Sequence, residues 1–214
     1  MISHRQILNQ LHWRYAAKRF DPQRKISFQD WQVLSESLRL APSSYGLQPW
    51  KFILVQNPEL RQKLQAVSRN QAQVTECSHF VVICYRKSLT EADVQKHISN
   101  IAITRNVTLD SLSEYQKGTV NSLINGPRSK SIGFWAQRQA YIAMGFLMMN
   151  AAHLEIDTCP MEGIETAAYE TLLGMQNSEY GVVAAVAIGY RHPEDKYSQT
   201  KKVRFSENQV FETK

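Results

Sequence analysis

Arg14 and Lys18 stand four residues apart in "RYAAKRF" (residues 14–20). If the segment is helical, that spacing puts two cations on one side of a turn, an arrangement suited to gripping one anion. A second basic element, "KKVRF" (residues 201–205), alternates so that Lys202 and Arg204 share one side of an extended segment. Between them, "PSSYGLQPW" (residues 42–50) sets two hydroxyls, free backbone N–H groups and a flexible Gly46 directly before an apolar run. "CPMEG" (residues 159–163) reads as a loop in which Gly163 lets a ligand approach the backbone closely. Each stretch taken singly has a plainer reading: a solvated basic turn, an exposed charged edge, a turn entering a strand, and an ordinary loop.

Several common chemistries have no footing here. The nine glycines form neither G-x-G-x-x-G nor a P-loop, and H-E-x-x-H, G-x-S-x-G and paired metal-ligand spacings are missing too. Cys77, Cys84 and Cys159 are odd in number and widely spaced, which suggests reduced, buried thiols rather than a disulfide framework or a zinc site. A net charge of +6 and a pI of about 9.2 raise a nucleic-acid reading. Aromatics interleaved with basic residues in "HWRYAAKRF" favour it, whereas the missing polybasic run and the interspersed acids disfavour it. A pocket for one anionic small molecule lies between a solvated basic face and a nucleic-acid groove.

The elements that must position these residues follow from periodicity. Residues 3–13 read as a helix with Ile7, Leu8 and Leu11 on one side, and Ser27 with Asp30 opens a second helix carrying Trp31, Leu34, Leu38 and Ala41 until Pro42 stops it. Residues 51–56, 79–85 and 180–190 are apolar at nearly every position, as in strands covered on both faces. Asn57 and Pro58 suit the cap and first turn of a helix running to about Val67. Residues 90–125 are polar and weakly periodic, helical in part. Residues 132–153 form a helix apolar almost all round after its first turns, fit for a deep core or an interface between subunits. One domain over residues 1–214 is expected. With no apolar leader and no apolar run long enough to span a bilayer, so is a cytoplasmic protein with no membrane partner.

Taken in order, "RYAAKRF", "APSSYGLQPW", "CPMEG" and "KKVRF" resemble the FMN-dependent NAD(P)H nitroreductase family, over a span from Arg14 to Phe205. The resemblance implies an α+β fold with a central mixed β-sheet wrapped by helices, and an intertwined homodimer with FMN at the subunit interface. By that likeness Arg14, Lys202 and Arg204 hold the FMN phosphate and Lys18 reaches the pyrimidine end of the flavin. Asn70 touches the ring, and Tyr15, Ala16, Gln73, Pro160 and Met161 belong to the same cofactor site. The backbone N–H of Glu162 or Gly163 faces flavin N5. Pro42, Ser43, Ser44 and Gly46, with Gln139, complete the partner's site, and Gln48 and Trp50 fix that turn. No side chain is assigned as a catalytic acid or base.

The implied activity is ping-pong hydride transfer from NADH or NADPH through the flavin to a small-molecule electron acceptor such as a nitroaromatic, a quinone or a free flavin. Flavin fragmentation, dehalogenation and pteridine reduction are other uses of such a site, and a non-catalytic nucleic-acid-binding protein is the rival of another class. Three departures bear on function. Ala16 replaces a hydroxyl, Gly46 an asparagine and Gln73 a lysine, so weaker FMN retention and a less stabilised reduced flavin are expected.

Overall fold

A computed structural model describes residues 2–214. The three apolar runs form strands β1 (Trp50–Val55), β2 (His79–Arg86) and β4 (Tyr180–Gly189), as their composition predicts. A fourth strand, β3 (Asp157–Met161), takes in most of the segment expected to be a loop. It is five residues long, and Pro160 masks it in the sequence. The sheet order β1-β2-β4-β3 makes it an edge strand, where a missing N–H need not break the ladder.

All three strand pairs are antiparallel. The parallel component of the sheet is a single bridge from Ala16 to Thr158, which lays residues 14–20 along the outer edge of β3. Alternation along the strands feeds two cores. Phe80, Val82, Cys84, Ala185 and Ala187 point to one face, and Val81, Ile83, Ala184, Val186 and Ile188 to the other. Both faces are covered, which explains why these strands are apolar at nearly every position, with Lys51, His79 and Arg86 near their ends.

Helices close over both faces. α1 (His4–Trp13) is capped by Ser3 with Gln6, yet it buries none of its residues, and Ile7, Leu8 and Leu11 remain exposed. α2 (Phe28–Arg39) starts where the Ser27 hydroxyl accepts from Asp30 N, and it buries Leu34 and Leu38. α3 (Pro58–Ala66) begins at Asn57 with proline in its first turn. The short α4 (Gln73–Glu76) leads into β2. The weakly periodic segment resolves into α5 (Glu91–Arg105) and α6 (Ser113–Val120), followed by a π-helical turn, Asn121–Asn125.

α7 (Ile132–His153) crosses the second core with Ala140, Ala143, Leu147 and Ala151 fully buried. Its small residues let it lie close to the sheet. Its far side leaves Phe134 67% exposed, with Ile142 and Phe146 also open, so the helix carries a second apolar surface. α8 (Thr166–Leu172) packs Tyr169 into the first core, and α9 (Glu207–Val210) follows the late basic segment. Among the described residues no helix is long and apolar enough to cross a membrane.

Candidate functional site

Residues 14–20 are not helical, so the condition under which Arg14 and Lys18 would share a helical face is not met. α1 stops at Trp13, and Arg14 takes extended backbone angles (φ −70°, ψ 140°). A buried carboxylate competes for the donors a helix would need. Lys18 N and Arg19 N both donate to Asp195 Oδ2, at 2.7 and 3.2 Å, and the Tyr15 hydroxyl donates to the same oxygen at 3.0 Å. Tyr197 N donates to Oδ1 at 3.1 Å, so Asp195, 2% exposed, ties the early motif to the segment carrying Lys202 and Arg204. Burial opposes ionisation of Asp195, but the hydrogen bonds from Lys18, Tyr197 and Arg19 outweigh it and hold the carboxyl below its usual range. Arg191 braces the same corner. It pairs with Asp157 at the start of β3 (2.7 Å), and its guanidinium lies over the rings of Trp13 and Tyr15 at 4.3 and 4.6 Å.

The result is a cleft of about 390 Å³ into which Arg14, Tyr15, Ala16, Lys18, Lys202 and Arg204 converge, with no acidic side chain in its lining. Lys202 Nζ donates to Leu11 O at 2.5 Å and to Arg14 O, capping the carbonyl end of α1. Arg14 Nε is buried without a partner. Burial, then the neighbouring Arg204, lowers the proton affinity of Arg14. Burial, then Arg14 and Arg204, does the same for Lys202. Repelling cations held together without a counter-charge form a site that a phosphate dianion stabilises. Two other clefts are roomier, about 480 and 620 Å³. In the first, Arg61 is committed to the carbonyls of Val55, Cys77 and Ser78; the second lies beside the π turn and contains no residue of the four motifs.

At the deep side of the motif, Lys18 Nζ lies 3.6 Å and Gln73 Nε2 3.7 Å from Cys159 Sγ. Burial raises the Cys159 pKa against the opposing pull of Lys18, so the thiol stays neutral. Gln73 is buried and also donates to Gln71 Oε1 at 3.0 Å. Gln71 Nε2 reaches Gly163 O at 3.3 Å, bringing the loop that holds Arg69 and Asn70 against the exit of β3. Both of those residues adopt left-handed angles (φ 53°), and both are exposed. Pro160 and Met161 pair with Val186 and Ala185, and the Met161 side chain lies in the first core, so at that position only the backbone is left to face a ligand. Glu162 accepts from the Tyr141 hydroxyl of α7 at 2.5 Å.

The residues of the 42–50 stretch form a separate group that does not line the cleft. Ser43 Oγ accepts from Gln48 N at 2.9 Å, Gln48 Nε2 donates to Arg39 O at 2.8 Å, and Trp50 is buried in the second core, so these two residues fix the turn as expected. Tyr45 O is held by His97 Nε2 and by the Tyr115 hydroxyl, both at 2.9 Å. Pro42 and Gly46 are exposed. Gln139 Oε1 accepts from Ser44 N at 2.9 Å while its Nε2 donates to Trp135 O. One end of that amide serves the turn of its own chain, and the other binds the preceding turn of α7.

Sequence reasoning missed Asp195, Arg191, Tyr141 and Arg69. Asp195 and Tyr15 are 180 residues apart, and no local pattern signals such a contact. Among the described residues no cluster of side chains is arranged to hold a metal ion.

Comparison with known proteins shows the family and the fold. The chain is 35% identical to a Staphylococcus epidermidis protein named "Putative NAD(P)H nitroreductase", with 96% of this chain and 95% of that one aligned. Its fold matches the crystal structure of a Bacillus subtilis protein described as a nitroreductase, at a TM-score of 0.87 and 22% identity over 99% of this chain and all of that one. It also matches a nitroreductase-like protein of Exiguobacterium sibiricum solved in complex with FMN, at a TM-score of 0.80 and 20% identity over 100% and 98% of the two chains. The "Nitroreductase family" profile matches residues 11–190, a stretch that takes in the early basic motif, the fixed turn and the exit of β3; the chain therefore belongs to the nitroreductase family.

Proposed function

We propose that the protein binds FMN and uses it to pass reducing equivalents from NADH or NADPH to small acceptors, nitroaromatics or quinones, in a ping-pong cycle. The observation that carries this reading is the acid-free cleft in which Arg14, its Nε unpartnered, meets Lys202 and Arg204. These residues fit a phosphate monoester. Each charge-assisted hydrogen bond contributes about 1.5–3 kcal/mol, enough in combination for micromolar binding or better. FMN, when bound, supplies the centre that exchanges hydride with the nicotinamide and with the acceptor.

The chain's own part is to bind and orient. Lys18, steadied by its amide bond to Asp195, offers a fixed cation to the electron-rich end of the ring. The exposed Asn70 offers an amide beside it. Among the described residues the Gly163 N–H makes no hydrogen bond, and it is available to a ring nitrogen. Ala16, Gly46 and Gln73 supply one hydroxyl, one amide and one cation fewer than the family pattern, which favours looser cofactor retention. The turn at residues 42–46, exposed at Pro42 and Gly46, would reach into the site of a second copy, and the open face of α7 at Phe134, Ile142 and Phe146 would be covered in that homodimer. The three free thiols suit a reducing cytoplasm, where the nicotinamide is also available.

The test is the visible spectrum of the purified protein with added FMN, before and after NADH or NADPH under nitrogen. A protein-bound flavin spectrum that bleaches is expected, and Arg14→Ala/Arg204→Ala is expected neither to hold the flavin nor to bleach it. A wild-type protein that retains no FMN and oxidises neither nucleotide would overturn the reading.

A further inference from the structure

Resting on the FMN reading above, we infer that Arg69 makes this site selective for anionic acceptors, meaning small aromatic or quinonoid acids. Arg69 lies across the exit of β3: a Cβ added to Gly163 would meet Arg69 Cδ and Nε at 3.4 Å and Gln71 Nε2 at 3.3 Å. The stem of the guanidinium thus passes directly over the backbone at Gly163, which in the reading above faces the reacting end of the cofactor. The side chain is exposed and, among the described residues, makes no ion pair and no hydrogen bond. Four arginines are engaged by acids, Arg19 by Glu76, Arg39 by Glu36, Arg86 by Asp93 and Glu179, and Arg191 by Asp157; Arg5, Arg105 and Arg138 are unpaired among the described residues as Arg69 is, but it is Arg69 that lies against Gly163. The acid of the loop itself, Glu162, is taken by Tyr141.

The backbone supports the same assignment. Arg69 and Asn70 are consecutive residues in the left-handed region, an arrangement that L side chains resist. Asn70 N donates to Gln65 O at 3.2 Å, and Gln71 N to Ser68 O at 3.0 Å, so the turn and the point from which the Arg69 side chain leaves it are fixed.

Reach decides which anion is read. A carboxylate para to a nitro group lies one benzene ring away from the atoms that are reduced. The 2′-phosphate of NADPH lies beyond a ribose, a pyrophosphate and a second ribose. A cation resting on Gly163 matches the first separation. The net reaction is unchanged: the nitro group receives a hydride equivalent from NAD(P)H and a proton from water, one oxygen leaves as water, and the products are the nitroso acid and NAD(P)⁺.

Benzoate and benzamide, equal in shape and different in charge, probe the site without turnover. Each is titrated into the oxidised, FMN-loaded protein and followed by the perturbation of the visible flavin band. Arg69→Asn is the main variant, since asparagine tolerates left-handed backbone, with Arg69→Gln as a second. Benzoate binding is expected to weaken about tenfold or more in both, with benzamide binding unchanged. Arg69→Lys is expected to recover part of the difference, because it restores charge without the planar fork. In wild type, the benzoate preference is expected to shrink as salt rises.

Equal losses for the two ligands, or no loss for either, would overturn the proposal. So would a variant effect confined to the rate at which NADPH, relative to NADH, bleaches the flavin, since the cation would then serve the donor. A wild-type protein that takes up no FMN removes the underlying reading as well, and the uptake measurement made first separates that failure from this one.

Discussion

The Tyr15 hydroxyl donates to the Asp195 carboxylate at 3.0 Å across 180 residues of sequence, and the same carboxylate oxygen also accepts the Lys18 and Arg19 amides. Two irregular segments are thereby held in one register. Asp195→Asn keeps the shape and removes the charge, leaving one oxygen for three donors and an amide facing Tyr197 N. FMN affinity is expected to fall by the equivalent of about 1–3 kcal/mol, against about 0.5–1.5 for Tyr15→Phe, which loses one bond. Fluorescence titration of FMN measures both. Equal affinity in Asp195→Asn and wild type would show that the clamp does not govern the cleft.

The lowered Asp195 pKa sets a direction with pH. A carboxyl depressed in the fold stabilises it fully above the ordinary carboxylate range, and that contribution is lost as pH falls through the folded value. Flavin retention is therefore expected to hold near neutrality and to fail on acidification. The difference in FMN affinity between wild type and Asp195→Asn should narrow in the same window, as read by titration at stepped pH.

Gly46 sits at φ +68°, and a Cβ there would meet His97 Cε1 at 3.4 Å. Strain from the backbone and crowding against a ring that itself holds Tyr45 O act together. Gly46→Val is expected to lower stability by about 1–2 kcal/mol. Gly46→Asn is expected to stay within a few tenths, because asparagine accepts this conformation. Thermal denaturation separates the two. Tighter FMN binding by Gly46→Asn would show that a side-chain amide at this position reaches the cofactor.

Gln73 is 3% exposed and touches the same sulfur as Lys18. Gln73→Lys would bury a second cation there with no carboxylate in hydrogen-bond contact with the position. The unliganded protein is expected to lose about 1–3 kcal/mol of stability, while the midpoint potential of bound FMN should rise because the added charge favours the reduced ring. Spectroelectrochemistry with FMN and denaturant unfolding without it test the two halves independently.

His79 stacks on Trp31 with ring centroids 4.5 Å apart. Burial first, then Arg61 and Lys25, lowers its pKa from 6.5 to about 4. The unfolded chain therefore takes up the proton first, and stability is expected to decline as pH drops from 6.5 towards 4. His79→Phe keeps the stacking and removes the titration, so its Tm should change less over that interval. Parallel slopes in the two proteins would assign the acid sensitivity to other groups.

Elements whose signal is local were legible in the sequence. α7 declares itself by length and composition, and β1, β2 and β4 by unbroken apolar runs, because burial on both faces leaves few polar positions. β3 escaped because an edge strand tolerates Pro160 and is too short to show a period. The cations of the cleft could be named from residue type, but their arrangement could not. The i, i+4 spacing would share a face only in a helix, whereas Asp195 draws the chain out, and that carboxylate lies in the loop after β4, at the start of a short 3-10 turn, with nothing in its neighbours to mark it. Gln139 was named only through the family resemblance, as completing a partner's cofactor site with residues 42–46; its hydrogen bond to Ser44 N within one chain belongs to tertiary structure and had no local signal. Ile7, Leu8 and Leu11 show the converse, an apolar side that one copy of the chain leaves open.

The bond from Lys202 Nζ to Arg14 O spans 188 residues, and it has a consequence for synthesis. Arg14 leaves the ribosome early and the sheet can close once β4 is out, but the anion grip lacks two of its three cations until Arg204 has followed. Chains emerging at about 5–20 residues per second thus hold a finished core for some seconds before they can hold a flavin phosphate. A chain that stops before Lys202 lacks two of the three phosphate cations, so flavin retention reports that synthesis has passed Arg204.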